Sequence, residues 1–231
     1  MPELSVIIPV YNEEKRIGST LPKIFHYLNK RQIDYEVIVV DDGSTDQTIP
    51  IVENIKKCNL LRHAENQGKG AAVRTGVEAA QGKYILFTDA DNSTPIEELD
   101  KFWHKKEQYD ILIGSRHSIG SEIQVKQPWH RNIITYIGNK MIRIILGLKL
   151  KDTQCGFKIF RGEVAKDLFG LQKINRWAFD MEILYLAKKK LYSAKEIPVT
   201  WINSPESKVK PLDFFKTFGE LIKIRFTKYP I

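Results

Sequence analysis

Residues 35–46 read YEVIVVDDGSTD, and the fold class turns on them. A short, β-branched and almost continuously apolar run ends in two adjacent aspartates, Asp41 and Asp42, and then in a glycine. Such a run is a strand covered on both faces, because a half-exposed strand would alternate polar and apolar residues. Working outward, LSVIIPV (4–10), NLLRH (59–63) and KYILFTDAD (83–91) read the same way. Between them, residues 16–31, 46–57 and 69–81 carry helical periodicity. Strands alternating with helices imply crossover units on a parallel sheet, so the chain is α/β with a mostly parallel, Rossmann-like central sheet flanked by helices.

Beyond this half the pattern is less regular. A helix over 96–108, a strand over 109–115, a loop over 116–129 and an amphipathic helix over 131–148 are predicted. They are followed by the strand GFKIF (156–160), helices around 164–169 and 179–190, a strand over 192–202 and a polar stretch before a last basic helix. No repeat is present. At 231 residues, with 42% hydrophobic and 28% charged residues, the chain suffices for one large globular domain. Its 36 basic against 28 acidic residues give +8, which points to anionic partners. Cys58 and Cys155 are too few for a disulfide framework or a zinc site and are expected to be free thiols in a reducing compartment. The run Leu4–Val10 starts too near Met1 for a signal peptide, and no uncharged apolar stretch reaches the ~18 residues that cross a bilayer. Five histidines, His26, His63, His104, His117 and His130, show no ligand spacing.

Each of the first strands ends in a polar cluster: residues 11–14, 41–46 and 89–92. In open parallel sheets ligands bind outside the carboxyl ends of the strands, so the clusters should converge on one crevice. Asp89 and Asp91 stand two apart, which in extended backbone turns both carboxylates the same way. Paired hard oxygens there suit Mg2+ or Mn2+ shared with a diphosphate; the competing reading is that residues 91–95 only cap the next helix. Asp41 and Asp42 either accept hydrogen bonds from a base or ribose or merely begin a helix. Residues 66–70 fail both the dinucleotide and the Walker patterns and read as a turn that lets Lys69 approach a nucleotide.

Taken in order, IPVYNEE (8–14), VVDDGSTDQT (39–48), NQGKGAAVRTG (66–76), TDADNSTP (88–95), GSR (114–116) and DTQCGFKIF (152–160) resemble the family 2 glycosyltransferases of the GT-A fold. DTQCGFKIF, RWAFDMEILYLA (176–187) and SKVKPLDFFK (207–216) are similar to its dolichyl-phosphate glucosyltransferase and polyprenyl-phosphate sugar synthase branch. The resemblance spans essentially the whole chain. It implies a catalytic domain over 1–202, with a nucleotide-binding half over about 1–95 and an acceptor half over about 96–202, and a basic amphipathic segment over 203–231. It further implies that Pro9, Tyr11, Asn12, Glu13, Asp41, Asp42, Lys69 and Asp89 hold a nucleotide-diphosphate sugar. UDP-glucose is favoured and GDP-mannose is the alternative. Asp89 and Asp91 would hold the metal, and Arg116, Arg131 and Lys158 would face the donor diphosphate or the acceptor phosphate.

The chemistry of transfer agrees with such a layout. Charge develops on the leaving diphosphate, where a cation and arginines neutralise it. A phosphomonoester acceptor, with a second pKa near ~6, is already ionised at neutral pH and needs little general-base help. Asp152 is the first candidate for a base and Asp180 the second, against structural roles at a turn and at a helix start. An inverting displacement is implied.

Apolar residues Ile133, Ile134, Ile137, Met141, Ile144, Ile145 and Leu148 recur at helical spacing among basic ones, as do Phe214, Phe215, Phe218, Leu221, Ile222 and Phe226. Either stripe packs on the core or lies on an anionic membrane. The expectation is a cytoplasmic enzyme attached peripherally to a membrane, taking polyprenyl or dolichyl phosphate as acceptor. A glycan hydroxyl acceptor is the alternative, and a non-catalytic basic module a weaker one. Nucleic acid is not expected, because the carboxylates would repel it at the crevice.

Overall fold

The computed structural model describes residues 1–55, 57–124, 129–202 and 211–231, with the side chains of 129–137 and 211–215 outside the description. Seven strands form the main sheet: β1 (Leu4–Val10), β2 (Tyr35–Asp41), β3 (Asn59–Arg62), β4 (Tyr84–Thr88), β5 (Ile111–Ser115), β7 (Phe157–Arg161) and β8 (Ala194–Pro198), in the order β3-β2-β1-β4-β7-β5-β8. Two short strands, β6 (Glu122–Ile123) and β9 (Thr200–Trp201), pair in parallel as a second sheet. The helices are α1 (Ile17–Lys30), α2 (Thr48–Ile55), α3 (Lys69–Ala79), α4 (Leu99–Trp103), α5 (Trp129–Leu146), α6 (Gly162–Gly170), α7 (Phe179–Lys189) and α8 (Pro211–Phe226).

The apolar runs of β1, β2 and β4 are buried on both faces, as continuous hydrophobic strands must be. One core layer packs α1, α2 and α4 against Val6, Ile8, Val37 and Val39. The opposite layer packs α3, α6, α7 and the inner faces of α5 and α8 against Ile7, Ile38, Val40, Ile85 and Phe87. Alternate residues of one strand therefore feed two different cores.

Two expectations are corrected. The helix read over 96–108 begins as a single 3-10 turn, Ile96–Glu98, and its α part ends at Trp103. The strand read over 192–202 breaks after Pro198: β8 stays beside β5, while β9 leaves the sheet to join β6 inside the expected loop. Proline has no N–H to continue a ladder, which suits it to the end of an edge strand. The strand GFKIF runs antiparallel to both its neighbours, β4 and β5. Its first residue, Phe157, stands opposite Thr88, so the turn before β7 reaches the edge where β4 ends. No helix among the described residues is long and apolar enough to cross a membrane.

Candidate active site

At the end of β2 the adjacent aspartates part company. Asp41 Oδ2 accepts the backbone N–H groups of Gly43 and Ser44 at 3.2 and 3.1 Å. Its Oδ1 is buried without a partner. Asp41 lines an open cleft of about 410 Å³ together with Gly43, Ser44, Thr45, Arg62 and His63. The loop after β1 is stapled to this wall. Asn12, at φ 52°, donates its backbone N–H to Ser44 Oγ at 2.8 Å and accepts the Thr45 N–H at 2.8 Å. Glu13 donates its backbone N–H to Thr48 Oγ1 at 2.7 Å, and its carboxylate pairs with Arg16. Pro9 faces Val40 inside the sheet, and Tyr11 is 39% exposed beyond the end of β1.

Asp42 turns the other way. Its Oδ1 meets His63 Nδ1 at 2.8 Å and accepts the Gln67 N–H at 2.9 Å, while Oδ2 accepts the Gly68 N–H at 2.8 Å. His63 reaches on to Thr75 Oγ1 at 2.9 Å. Gly68 has φ +110°, and a Cβ there would stand 2.5 Å from the Asn175 carbonyl oxygen, so only glycine fits this corner. The corner delivers Lys69, at the start of α3, to the end of β4.

There Lys69 Nζ lies 2.6 Å from Asp89 Oδ1, between the rings of Phe87 and Trp177 at 5.2 and 5.6 Å. Burial alone would lower the Lys69 pKa, but the carboxylates of Asp89, Asp180 and Asp91 together hold it above its usual value. Asp89 presses on Gly156, where a Cβ would come within 1.9 Å of its Oδ2. Asp91 accepts the Ser93 N–H at 2.9 Å, and burial, then the charge of Asp89, raise its carboxyl above the ordinary range. Burial and the neighbouring charge both disfavour an ionised Asp91, which a hard divalent cation would relieve. Among the described residues no third His, Cys, Asp or Glu completes a cage. The pair thus fits Mg2+ or Mn2+ held jointly with a diphosphate.

Behind Asp89, Lys158 and Asp180 form a buried ion pair at 2.5 Å, and Lys158 also donates to the Cys155 carbonyl at 2.6 Å. Burial raises the Asp180 carboxyl, against the pull of Lys158 and Lys69. At the end of β5, Asp152 accepts from Arg116 three times: its backbone N–H, Nε and Nη2, at 2.9, 2.7 and 2.8 Å. Burial would raise the Asp152 carboxyl, but the Arg116 guanidinium and its hydrogen bonds hold it far below the usual carboxylate range.

A profile described as Glycosyl transferase family 2 matches residues 5–169. The chain belongs to this family. It is 38% identical to a dolichyl-phosphate beta-glucosyltransferase of Dictyostelium discoideum over 96% of this chain and 74% of that protein. To the enzyme of the same name from Homo sapiens it is 34% identical, over 97% and 76%. Among solved structures, glucosyl-3-phosphoglycerate synthase from Mycobacterium tuberculosis, in complex with Mn2+, UDP-glucose and phosphoglyceric acid, superposes with a TM-score of 0.74 at 18% identity. That match covers 98% of this chain and 81% of the other. S. aureus TarS in complex with UDP-GlcNAc gives 0.61 at 24%, over 99% and 68%. The shared architecture is the GT-A fold, and the chain is a glycosyltransferase.

Within this glycosyltransferase, four expected site residues are engaged by neighbours inside the fold. Asp42 gives Oδ1 to His63 and the Gln67 N–H and Oδ2 to the Gly68 N–H, so it shapes the loop that carries Lys69. Lys158 is 1% exposed, and its Nζ is bound to Asp180 and the Cys155 carbonyl. Asp152 is wholly buried and its carboxylate is shared among four N–H donors, three of them from Arg116, whose side chain it orients. Asp180, 6% exposed, braces Lys158 under Asp89. The Arg131 side chain lies outside the described residues.

Residues not singled out from the sequence also shape the site. His63 bridges Asp42 and Thr75, Gly156 makes room for Asp89, and Trp177 lies against Lys69. Gly156 and Trp177 left a trace, as residues within DTQCGFKIF and RWAFDMEILYLA. Burial pushes the Cys155 thiol up to about 11, which leaves it unreactive at neutral pH.

Proposed function

We propose that this glycosyltransferase moves glucose from UDP-glucose to a dolichyl or polyprenyl phosphate, inverting the anomeric carbon, with Mg2+ or Mn2+ as cofactor. The observation that carries the reading is Asp41 Oδ1, a buried acceptor without a partner in the wall of the cleft. Leaving such an oxygen unpaired costs about 1–3 kcal/mol, more for a charged group, until a ligand donor meets it. Its sister oxygen is already filled by two backbone N–H groups. A single open acceptor matches the one imide N–H of uracil better than the paired donors of guanine.

The names of the relatives, at 34% and 38% identity, support dolichyl phosphate as acceptor. A β-linked product is what a single displacement on the α-linked donor gives. The acceptor phosphate, ionised at neutral pH, attacks the anomeric carbon; the carbon–oxygen bond to the diphosphate breaks and the electron pair leaves with UDP. A cation held by Asp89 and Asp91 would neutralise that leaving group. Arg116, fixed by Asp152, offers the acceptor phosphate the N–H edge turned away from the carboxylate. Outward-facing Phe218, Ile222 and Phe226 on α8, interleaved with exposed Lys216, Lys223 and Arg225, support peripheral contact with an anionic membrane surface. A cytoplasmic-face location belongs to the same proposal.

The test is transfer by purified protein with Mn2+ and radiolabelled UDP-glucose or GDP-mannose, offered polyprenyl phosphate and a soluble glycan side by side. Labelled glucosyl lipid is expected. Transfer to the glycan alone overturns the acceptor, and transfer from GDP-mannose alone overturns the argument from Asp41.

A further inference from the structure

Arg116 is held from three sides. Asp152 takes its backbone N–H and two of its guanidinium N–H groups. Asp152 is braced in turn by Glu196, whose carboxylate accepts the Lys151 and Asp152 backbone N–H groups at 2.9 and 2.8 Å. The third side is aromatic: the guanidinium Cζ stands over the Trp201 ring, 5.4 Å from its centroid. Trp201 occupies β9, the strand that abandons the main sheet. Its carbonyl accepts the Gln124 N–H at 3.0 Å, and the next residue, Ile202, donates its N–H to the Ser93 carbonyl at 2.8 Å. Ser93 is the residue whose N–H holds the Asp91 carboxylate. The indole is thus mounted on backbone tied to the turn that carries Asp91.

A guanidinium has five N–H groups in one plane, and two face Asp152. The others point away from it, in the fork that receives phosphate oxygens. The carboxylate alone fixes one edge but leaves the group free to tilt about it, and an aromatic ring beneath the cation restricts that freedom. We propose that Trp201 is a positioning residue for the acceptor phosphate, its indole holding the Arg116 plane so that the remaining N–H edge meets the phosphate beside the Asp91 turn. This inference rests on Arg116 receiving the acceptor phosphate.

The test compares Trp201→Phe, which keeps a ring, Trp201→Leu, which keeps apolar bulk, and Arg116→Gln, with farnesyl phosphate as soluble acceptor. Trp201→Leu should raise KM for farnesyl phosphate roughly tenfold, the range of a partly desolvated cation–π contact. It should leave kcat, and UDP affinity in the presence of Mn2+ by calorimetry, as in the wild type; Trp201→Phe should recover most of the loss. Wild-type KM in Trp201→Leu, equal losses in the Leu and Phe variants, or a matching loss of UDP affinity overturns the positioning role. Unchanged KM in Arg116→Gln overturns the underlying reading of Arg116 instead.

Discussion

The two aspartate doublets at the carboxyl edge of the sheet differ by one residue in spacing and by everything in role. Asp41 and Asp42 are adjacent, so the extended backbone sends them to opposite sides. One lines a cleft with an oxygen to spare, and the other is consumed by a loop 25 residues onward. Asp89 and Asp91 are two apart, and the charge of Asp89 bears on Asp91. Adjacent carboxylates divide the labour; alternate ones concentrate charge that a cation has to offset.

The largest effect expected of breaking this comparison is on the alternate pair. Asp91→Ala should lower turnover by about 10²–10³-fold, the scale of removing one preorganised electrostatic stabiliser, without lowering the melting temperature. Retained transfer would remove the cation from the Asp89 and Asp91 doublet. In the adjacent pair the costs should separate. Asp42→Ala strips the acceptor from His63 and two backbone N–H groups and should cost about 2–3 kcal/mol of stability, read as a lower urea midpoint. An unchanged midpoint would mean that the loop holds itself. Asp41→Asn can keep the two backbone contacts while setting an NH2 donor where the open oxygen was. UDP affinity should then fall about tenfold, the loss of one hydrogen bond to a charged group, with melting unchanged.

The smallest effect is a dependence on pH. The Asp91 carboxyl is raised above its unfolded value of about 3.9, so its contribution favours folding below that value and is lost as pH rises through the raised one. Added Mn2+ should therefore raise the melting temperature more at pH 7 than at pH 5, and Asp91→Asn should flatten the difference. An identical response in the variant would place the ion elsewhere.

The strands were legible because continuous apolar runs have no other soluble use, and the clusters 11–14, 41–46 and 89–92 followed from where parallel strands end. The direction of β7 was not. GFKIF carries no mark of polarity, and pairing is decided by the neighbours it finds. Nor could the fate of Asp42 or Lys158 be read: each depends on a partner 21 to 26 residues away, His63, Gly68 or Asp180, that comes close only in the folded chain. Asp152 opens a motif in the sequence much as a general base would. Only the fork of Arg116 across it reveals an anchor. The mini-sheet of β6 and β9 is two residues long on each side, too short for any periodicity to show.

The reversed course of β7 makes one short segment answer to two neighbours. Residues 152–156 enter the strand at the edge where β4 ends. Asp152 at one end of the segment fixes Arg116, and Gly156 at the other leaves room for Asp89, so a change in this turn is felt on both sides of it.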